Sequence, residues 1–171
     1  MRTSGSLGAF EESWKQFLHR IERVWNKAQA HYGRSPKWHG WASKHEHRRK
    51  KDPLLCYLIH ARGADEHSIN EIVEHQSGGI GINPAEGTSL RINRMQQRNG
   101  RLLIDADQPL KIEVIPGRVT LIPVTNRGRV YPVPTVHLGQ PVDPRGVPEL
   151  ATLAVEYYRS ALMAADTFFI K

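Results

Sequence analysis

The stretch from Asp52 to His67 constrains the fold most, because it carries the signals for one complete helix start. Asp52 is a preferred N-cap residue, and Pro53 suits the first helical position, where no backbone N–H is needed. An apolar run follows, and the stretch ends in a polar group that includes Arg62 and Glu66. These two residues are four positions apart, so they share one helix face and Glu66 can hold the guanidinium. The sequence therefore predicts a packed helix with one polar cluster near its end.

Two further amphipathic helices are predicted, one towards each end of the chain. Apolar residues recur at spacings of three and four from about Leu7 to His31 and from about Pro148 to Phe169. The helix that starts at Asp52 is predicted to continue to about Gln76, with a buried side formed by Leu54, Leu55, Leu58, Ile69, Ile72 and Val73. The glycine-rich residues 77–81 that follow indicate a flexible connection.

Short strands are predicted between the second and third of these helices. Arg98-Asn-Gly-Arg101 is typical of a two-residue hairpin turn, and Asn126-Arg-Gly128 predicts another turn. Pro116-Gly117 separates two more strands, so the pattern favours a small antiparallel meander.

The predicted fold class is α+β, a helical bundle with a small antiparallel β-meander inserted before the last long helix. Its segments are residues 1–77 and 147–171, which form the bundle, and residues 78–146, which form the insertion.

The balance of charge is basic, with a formal net charge of +7 and a pI of about 9.8. Such a balance favours contact with phosphate backbones, although it also serves solubility. Cations and aromatic residues alternate in residues 34–51, which is how single-stranded RNA is often held. The alternative, which is compatible with RNA binding, is a solvated loop whose two tryptophans anchor it to the bundle, and anchoring is favoured for Trp41. The RNA-binding candidates in this stretch are Lys44, Arg48, Arg49, Lys50 and Lys51.

The remaining classes of site receive little support from the sequence. The single cysteine, Cys56, cannot form an internal disulfide, so a reducing, cytoplasmic setting is expected. No apolar stretch is long enough to span a bilayer, which predicts no membrane partner. His39, His45 and His47 have no nearby cysteine or fitting carboxylate spacing, so neither zinc nor another cofactor is expected.

The signature helix resembles one subgroup of the HEPN superfamily of helical bundles, which carry an R-x4-H motif. The matching residues are Asp52-Pro-Leu-Leu55, Tyr57-Leu58, Ala61-Arg62, Ala64 and Glu66-His67. The resemblance implies a homodimer that brings two motif helices together, and metal-independent endoribonuclease activity of the toxin or antiviral-defence type. It also implies that Arg62 binds the scissile phosphate and that His67 acts as general acid or base, two roles that suit these side chains.

Helical spacing places His60, Gly63 and His67 on a second stripe. Glycine inside a helix costs about 1 kcal/mol relative to alanine, so it is best tolerated where another backbone approaches. A dimer partner along this stripe would explain Gly63, and His60 joins the RNA-binding candidates.

Gly63 also departs from the pattern of the family, because active HEPN nucleases usually have a polar residue directly after the arginine of the motif. A non-catalytic HEPN-like scaffold is therefore the alternative function. A module that binds a protein partner through the β insertion is a third.

Overall fold

The computed structural model describes residues 7–67 and 71–169, with His67 described by its backbone alone. The chain divides into two compact units. The first, here called the helical unit, comprises the described parts of residues 1–75 and 119–171. The second, here called the ribbon unit, comprises residues 76–118.

The structure is mixed α+β, as predicted, with four helices and small antiparallel strand pairs among the described residues. The helices are α1 (Leu7–Tyr32), α2 (Trp38–Lys51), α3 (Pro53–His67) and α4 (Val147–Phe169). The strands are β1 (Val73–Gln76), β2 (Gly79–Pro84), β3 (Ile92–Arg98), β4 (Arg101–Ala106), β5 (Leu110–Ile115), β6 (Arg118–Leu121), β7 (Val124–Asn126), β8 (Arg129–Tyr131), β9 (Val136–His137) and β10 (Gln140–Pro141). None of the described helices is long and apolar enough to cross a membrane.

Helix α3 is the centre of the helical unit. It contacts α1, α2 and α4 as well as strands β7 and β9. Because neighbours surround it, its buried residues are not confined to one stripe. They are Leu54, Leu55, Tyr57, Leu58, Ala61 and Ala64. The hydroxyl of Tyr57 remains satisfied inside this core by donating to the carbonyl oxygen of Ile122 at 2.8 Å.

Helix α2 lies where the sequence indicated only a basic region with two tryptophans. Its buried residues are Trp38, Ala42, His45 and Arg49, which recur at helical spacing. Two of these four are polar, so the apolar pattern alone does not show the helix. The predicted anchoring of Trp41 is confirmed, because its ring stacks on Trp25 with the centroids 6.1 Å apart.

The predicted continuation of α3 to Gln76 is wrong. The helix ends at His67, and Val73 already belongs to β1, which pairs with β6. Ile72 and Val73 are buried as predicted, but in a loop and a strand. The predicted burial of Ile69 falls outside the described residues.

The strands pair two by two instead of forming the predicted meander. Strand β5 pairs with β2, and β6 pairs with β1. The glycine-rich segment expected to be a flexible connection supplies β2. A Cβ at Gly78 would lie 2.5 Å from the carbonyl oxygen of Ile115, so the close backbone approach requires glycine there.

Both predicted hairpin turns are confirmed. Asn99 and Gly100 have φ values of 52° and 74°, and Arg127 and Gly128 have φ values of 51° and 74°. Such left-handed pairs match the twist of the flanking strands. The ribbon unit ends at Arg118, so residues 119–146 of the expected insertion pack within the helical unit.

Asp52 starts α3 and also holds a distant loop. Its Oδ1 accepts from the backbone N–H of Leu55 at 3.0 Å, which confirms the predicted N-cap, and from Nδ1–H of His137 at 2.9 Å. Its Oδ2 accepts from the N–H of Leu138 at 2.6 Å. Leu138 has a φ of 49°, a conformation that costs a branched residue energy, so this hydrogen bond helps to hold it. Asp52 and His137 are both buried.

We expect Asp52→Ala to lower the free energy of unfolding by about 3–5 kcal/mol, because it removes the cap and leaves two donors without a partner. Asp52→Asn keeps the cap and should cost less than the alanine variant. Urea unfolding measures both effects. Asp105→Ala, which changes an exposed aspartate, is the control. Equal stabilities for Asp52→Ala and this control would contradict the role of Asp52.

Candidate nucleic-acid interface

A groove of about 1000 Å³ opens along one side of α3. One wall is formed by residues of α3, from Pro53 to His60, and the opposite wall by residues 129–135. Four cations line it, namely Arg49, Lys50 and Lys51 of α2 and Arg129 at the start of β8, together with the carboxylates Glu22 and Glu46. We call it the α3 groove. It collects four RNA-binding candidates from the sequence, Arg49, Lys50, Lys51 and His60.

An aromatic stack lies in the wall of the α3 groove. The rings of His60 and Tyr131 are parallel, with centroids 3.6 Å apart and an interplanar angle of 12°. Arg129 lies over the tyrosine of this pair, with its guanidinium carbon 5.6 Å from the Tyr131 centroid. Flat rings beside cations are what unstacked bases and a phosphate backbone require.

His60 is held in one tautomer. The side-chain Nδ2–H of Asn126 donates to Nδ1 of His60 at 3.1 Å, so the ring proton of the neutral imidazole lies on Nε2. Burial lowers the pKa of His60, and the nearby Arg129 and Arg127 lower it further. His60 is therefore a neutral donor near pH 7.

The close approach expected at Gly63 exists, but its origin differs from the expectation. A Cβ at Gly63 would overlap the side-chain amide of Asn126 on β7 of the same chain. The stripe of His60 and Gly63 is thus covered by β7 and β8, and this glycine needs no dimer partner to explain it. The amide of Asn126 stands where a side chain at position 63 would begin.

Arg62 lies on a different side of α3, in a cluster shared with α1. Its Nη2–H donates to Oε1 of Glu66 at 2.5 Å, which confirms the predicted ion pair. His19 of α1 lies 3.1 Å from Oδ2 of Asp65 and 3.5 Å from Oε1 of Glu66. The carboxylate of Glu66 therefore contacts both the half-exposed guanidinium of Arg62 and the ring of His19. His67 closes α3 two helical turns beyond His60, and its side chain lies outside the described part of the molecule.

Arg49 differs from the other predicted cations because it is buried. Its Nε–H donates to the hydroxyl of Tyr158 at 2.9 Å, its Nη2 pairs with Glu22, and its guanidinium carbon lies 4.7 Å from the Trp25 ring centroid. Burial alone would lower the pKa of Arg49. The charges and hydrogen bonds of Tyr158 and Glu22 together have the larger effect, so the pKa is raised. This side chain serves the contact between helices, so its donors are already used within the protein.

The two remaining candidates, Lys44 and Arg48, line a second groove of about 550 Å³ between α2 and α4. Its floor holds His45 and Tyr157, with Nδ1 of His45 3.2 Å from the Tyr157 hydroxyl. Burial lowers the pKa of His45, helped by Arg48 and Lys44, and raises the pKa of Tyr157 to about 12. Helix α2 thus divides the predicted basic stretch between two grooves.

Sequence reasoning missed Asn126, Arg129 and Tyr131 as members of the site. The turn at Asn126-Arg-Gly128 was the available signal, but nothing local indicated that it folds back on His60. Within residues 7–67 and 71–169, no three His, Cys, Asp or Glu side chains are grouped closely enough to hold a metal ion.

Comparison with protein-family models, with curated proteins and with solved structures gave no match to this chain.

Two of the glycines that lie inside helices, Gly40 and Gly63, provide a test of the Asn126 contact. A Cβ at Gly40 would meet no atom within 4 Å, so Gly40→Ala should stabilise the protein by about 0.5–1 kcal/mol through helix propensity. Gly63→Ala should be less favourable than Gly40→Ala by about 1 kcal/mol, the value of the lost Asn126–His60 hydrogen bond. Urea unfolding in an Asn126→Ala background should remove this difference. A difference that persists there would contradict the contact.

The lowered pKa of His60 predicts a pH dependence with a definite sign. The folded state holds fewer protons on His60 than the unfolded state, so its contribution to stability is complete above pH 6.5 and is lost as the pH falls through the folded pKa. An NMR titration should place the His60 midpoint below 6.5. Arg129→Met should raise it only partly, because burial is the larger cause. A midpoint above 6.5 in the wild type would contradict the environment described here.

Proposed function

We propose that this chain is a HEPN-like RNA-binding protein that holds single-stranded RNA in the α3 groove. One observation carries the proposal: cations and a ring stack line this groove along the helix that also presents Arg62 and His67. Lys50, Lys51 and Arg129 would follow the phosphates, and Tyr131 with His60 would offer a surface for a base.

The catalytic part of the proposal is metal-independent cleavage of that RNA. It rests on the resemblance of residues 52–67 to the HEPN motif helix. Arg62 would bind the scissile phosphate and stabilise its developing charge, and Glu66 would position the guanidinium. His67 would exchange a proton with the 2′-hydroxyl or the leaving oxygen. Two protomers would bring two such helices to one cleft, as the resemblance implies.

His67 follows His60 by seven residues, which is about 10 Å along a helix axis, and both residues fall on one side of an ideal helix. Arg62 lies on a different side of α3 and does not line the α3 groove. RNA that leaves the groove would therefore have to turn around the end of α3 to meet Arg62.

A non-catalytic HEPN-like scaffold is the second candidate, and one observation favours it. Glu66 is paired with Arg62 and repels a phosphate, so RNA would have to displace Glu66 from the guanidinium. A scaffold would bind RNA in the α3 groove and leave the ion pair closed.

The test measures binding and cleavage with the same proteins. Lys50→Glu/Lys51→Glu should weaken binding of a fluorescent single-stranded RNA by about ten-fold or more at low salt, and flatten the log–log salt dependence by about 1.4. Arg23→Glu/Lys27→Glu changes the net charge equally on exposed positions of α1 that line neither groove, so it is the matched control. Equal effects of the two double variants would contradict binding in the α3 groove.

Cleavage is measured in EDTA with the wild type, Arg62→Ala and His67→Ala. The wild type should cut, and His67→Ala should be slower by about 10²- to 10⁴-fold, the value of a general acid or base. Binding without turnover would select the scaffold. Turnover that survives in His67→Ala would contradict the assigned chemistry.

A further inference from the structure

The ribbon unit carries a continuous apolar face on β2 and β5. These strands pair antiparallel with Ile80 opposite Val114, Ile82 opposite Ile112 and Pro84 opposite Leu110. Residues directly opposite one another project from the same face of a sheet, so these six side chains lie together. The other face carries Gly81 opposite Glu113 and Asn83 opposite Lys111.

This apolar face has no cover within its unit. Ile80, Ile112 and Val114 are 58%, 59% and 80% exposed, and none of residues 76–118 is buried. A two-stranded ribbon is marginally stable in water, and stability comes from further strands or from packing. Further strands would stabilise the ribbon through backbone pairing, because three or more strands with a hydrophobic face can be stable where two are not. The face carries no cation, which does not suit a nucleic acid.

The free edge of β5 is the better place for added strands. Among the described strands, β5 pairs with β2 alone. Its sequence, Leu110-Lys-Ile-Glu-Val-Ile115, contains no glycine or proline and is rich in branched residues that favour strands. Strand β2 contains Gly79 and Gly81 and ends in Pro84, which weaken its own edge. Long apolar edges such as that of β5 pair with other strands unless they are protected.

The charges on β5 are complementary to those on β5 of a second copy of this chain, which favours that copy as the partner. Lys111 and Glu113 flank Ile112, and their charged groups lie 2.6 Å apart on the polar face. Strand β2 offers only Gly81 and Asn83 beside them. If two β5 strands pair antiparallel about a two-fold axis at Ile112, Lys111 of each lies opposite the partner's Glu113. Leu110 then lies opposite the partner's Val114, which extends the apolar face without a break.

We propose that the chain forms a homodimer through antiparallel β5–β5 pairing centred on Ile112. The product is a four-stranded sheet in the order β2, β5, β5, β2, with one apolar and one charged face. Two-fold symmetry makes both ion pairs identical, as an isologous interface requires. This contact lies in the ribbon unit and uses no residue of the α3 groove or of the motif helix.

Disulfide trapping tests the position of the axis. In a Cys56→Ser background, Ile112→Cys should give a covalent dimer under mild oxidation, because directly opposed Cα atoms lie about 4.5–5.5 Å apart, within disulfide range. Ile80→Cys is the matched control, since Ile80 and Ile112 are 58% and 59% exposed on the same face. The two Ile80 positions would lie three strand spacings apart, about 14 Å, and should not cross-link. Equal cross-linking of both variants, or none with Ile112→Cys, would overturn the proposal.

Charge exchange tests the choice of partner. In the trapping background, Lys111→Glu and Glu113→Lys each place like charges opposite one another, so each alone should cross-link about ten-fold less. Mixing the two variants restores opposite charges across the interface and should recover the cross-linked heterodimer, identified by mass with one variant tagged. Each chain in that mixture still lacks its own Lys111–Glu113 pair, so recovery reports the contact between chains. A mixture that cross-links no better than either variant would overturn the proposal.

Discussion

The helical unit depends on the hydrogen bonds that the carboxylate of Asp52 accepts. It satisfies the start of α3, which packs against the other three helices, and it also binds His137 and Leu138 some 85 residues later in the chain. A buried carboxylate is tolerated because donors occupy both oxygens. Helix start and loop closure therefore share one group. The α3 groove and the Arg62 cluster are both set by that helix.

The two units obtain their stability in different ways. The helical unit buries aromatic and aliphatic side chains around α3 and places its polar groups at the groove and at the contact between α1 and α3. The ribbon unit keeps its branched residues on an open face and depends on backbone pairing between strands. One part of the chain has a packed interior, while the other leaves its branched apolar side chains exposed.

Local signals made part of the fold predictable. The start of α3 and both hairpin turns follow from residues next to each other, such as Asp52 with Pro53 and Asn99 with Gly100. Helix α2 was missed because two of its buried residues, His45 and Arg49, are polar and satisfied by partners on α4. The ion pair of Arg62 was predictable from spacing. The amide beside Gly63 was not, because Asn126 reaches it through tertiary packing alone.

All the aromatic residues of the chain lie outside the ribbon unit, and this affects any optical measurement. Residues 76–118 contain no Phe, Tyr or Trp, whereas Trp25, Trp38 and Trp41 form one cluster between α1 and α2. Tryptophan fluorescence and near-ultraviolet circular dichroism therefore observe the helical unit alone. Neither method would detect a ribbon that frays or that pairs with another ribbon. Detecting such a change requires amide-based signals such as hydrogen exchange or NMR.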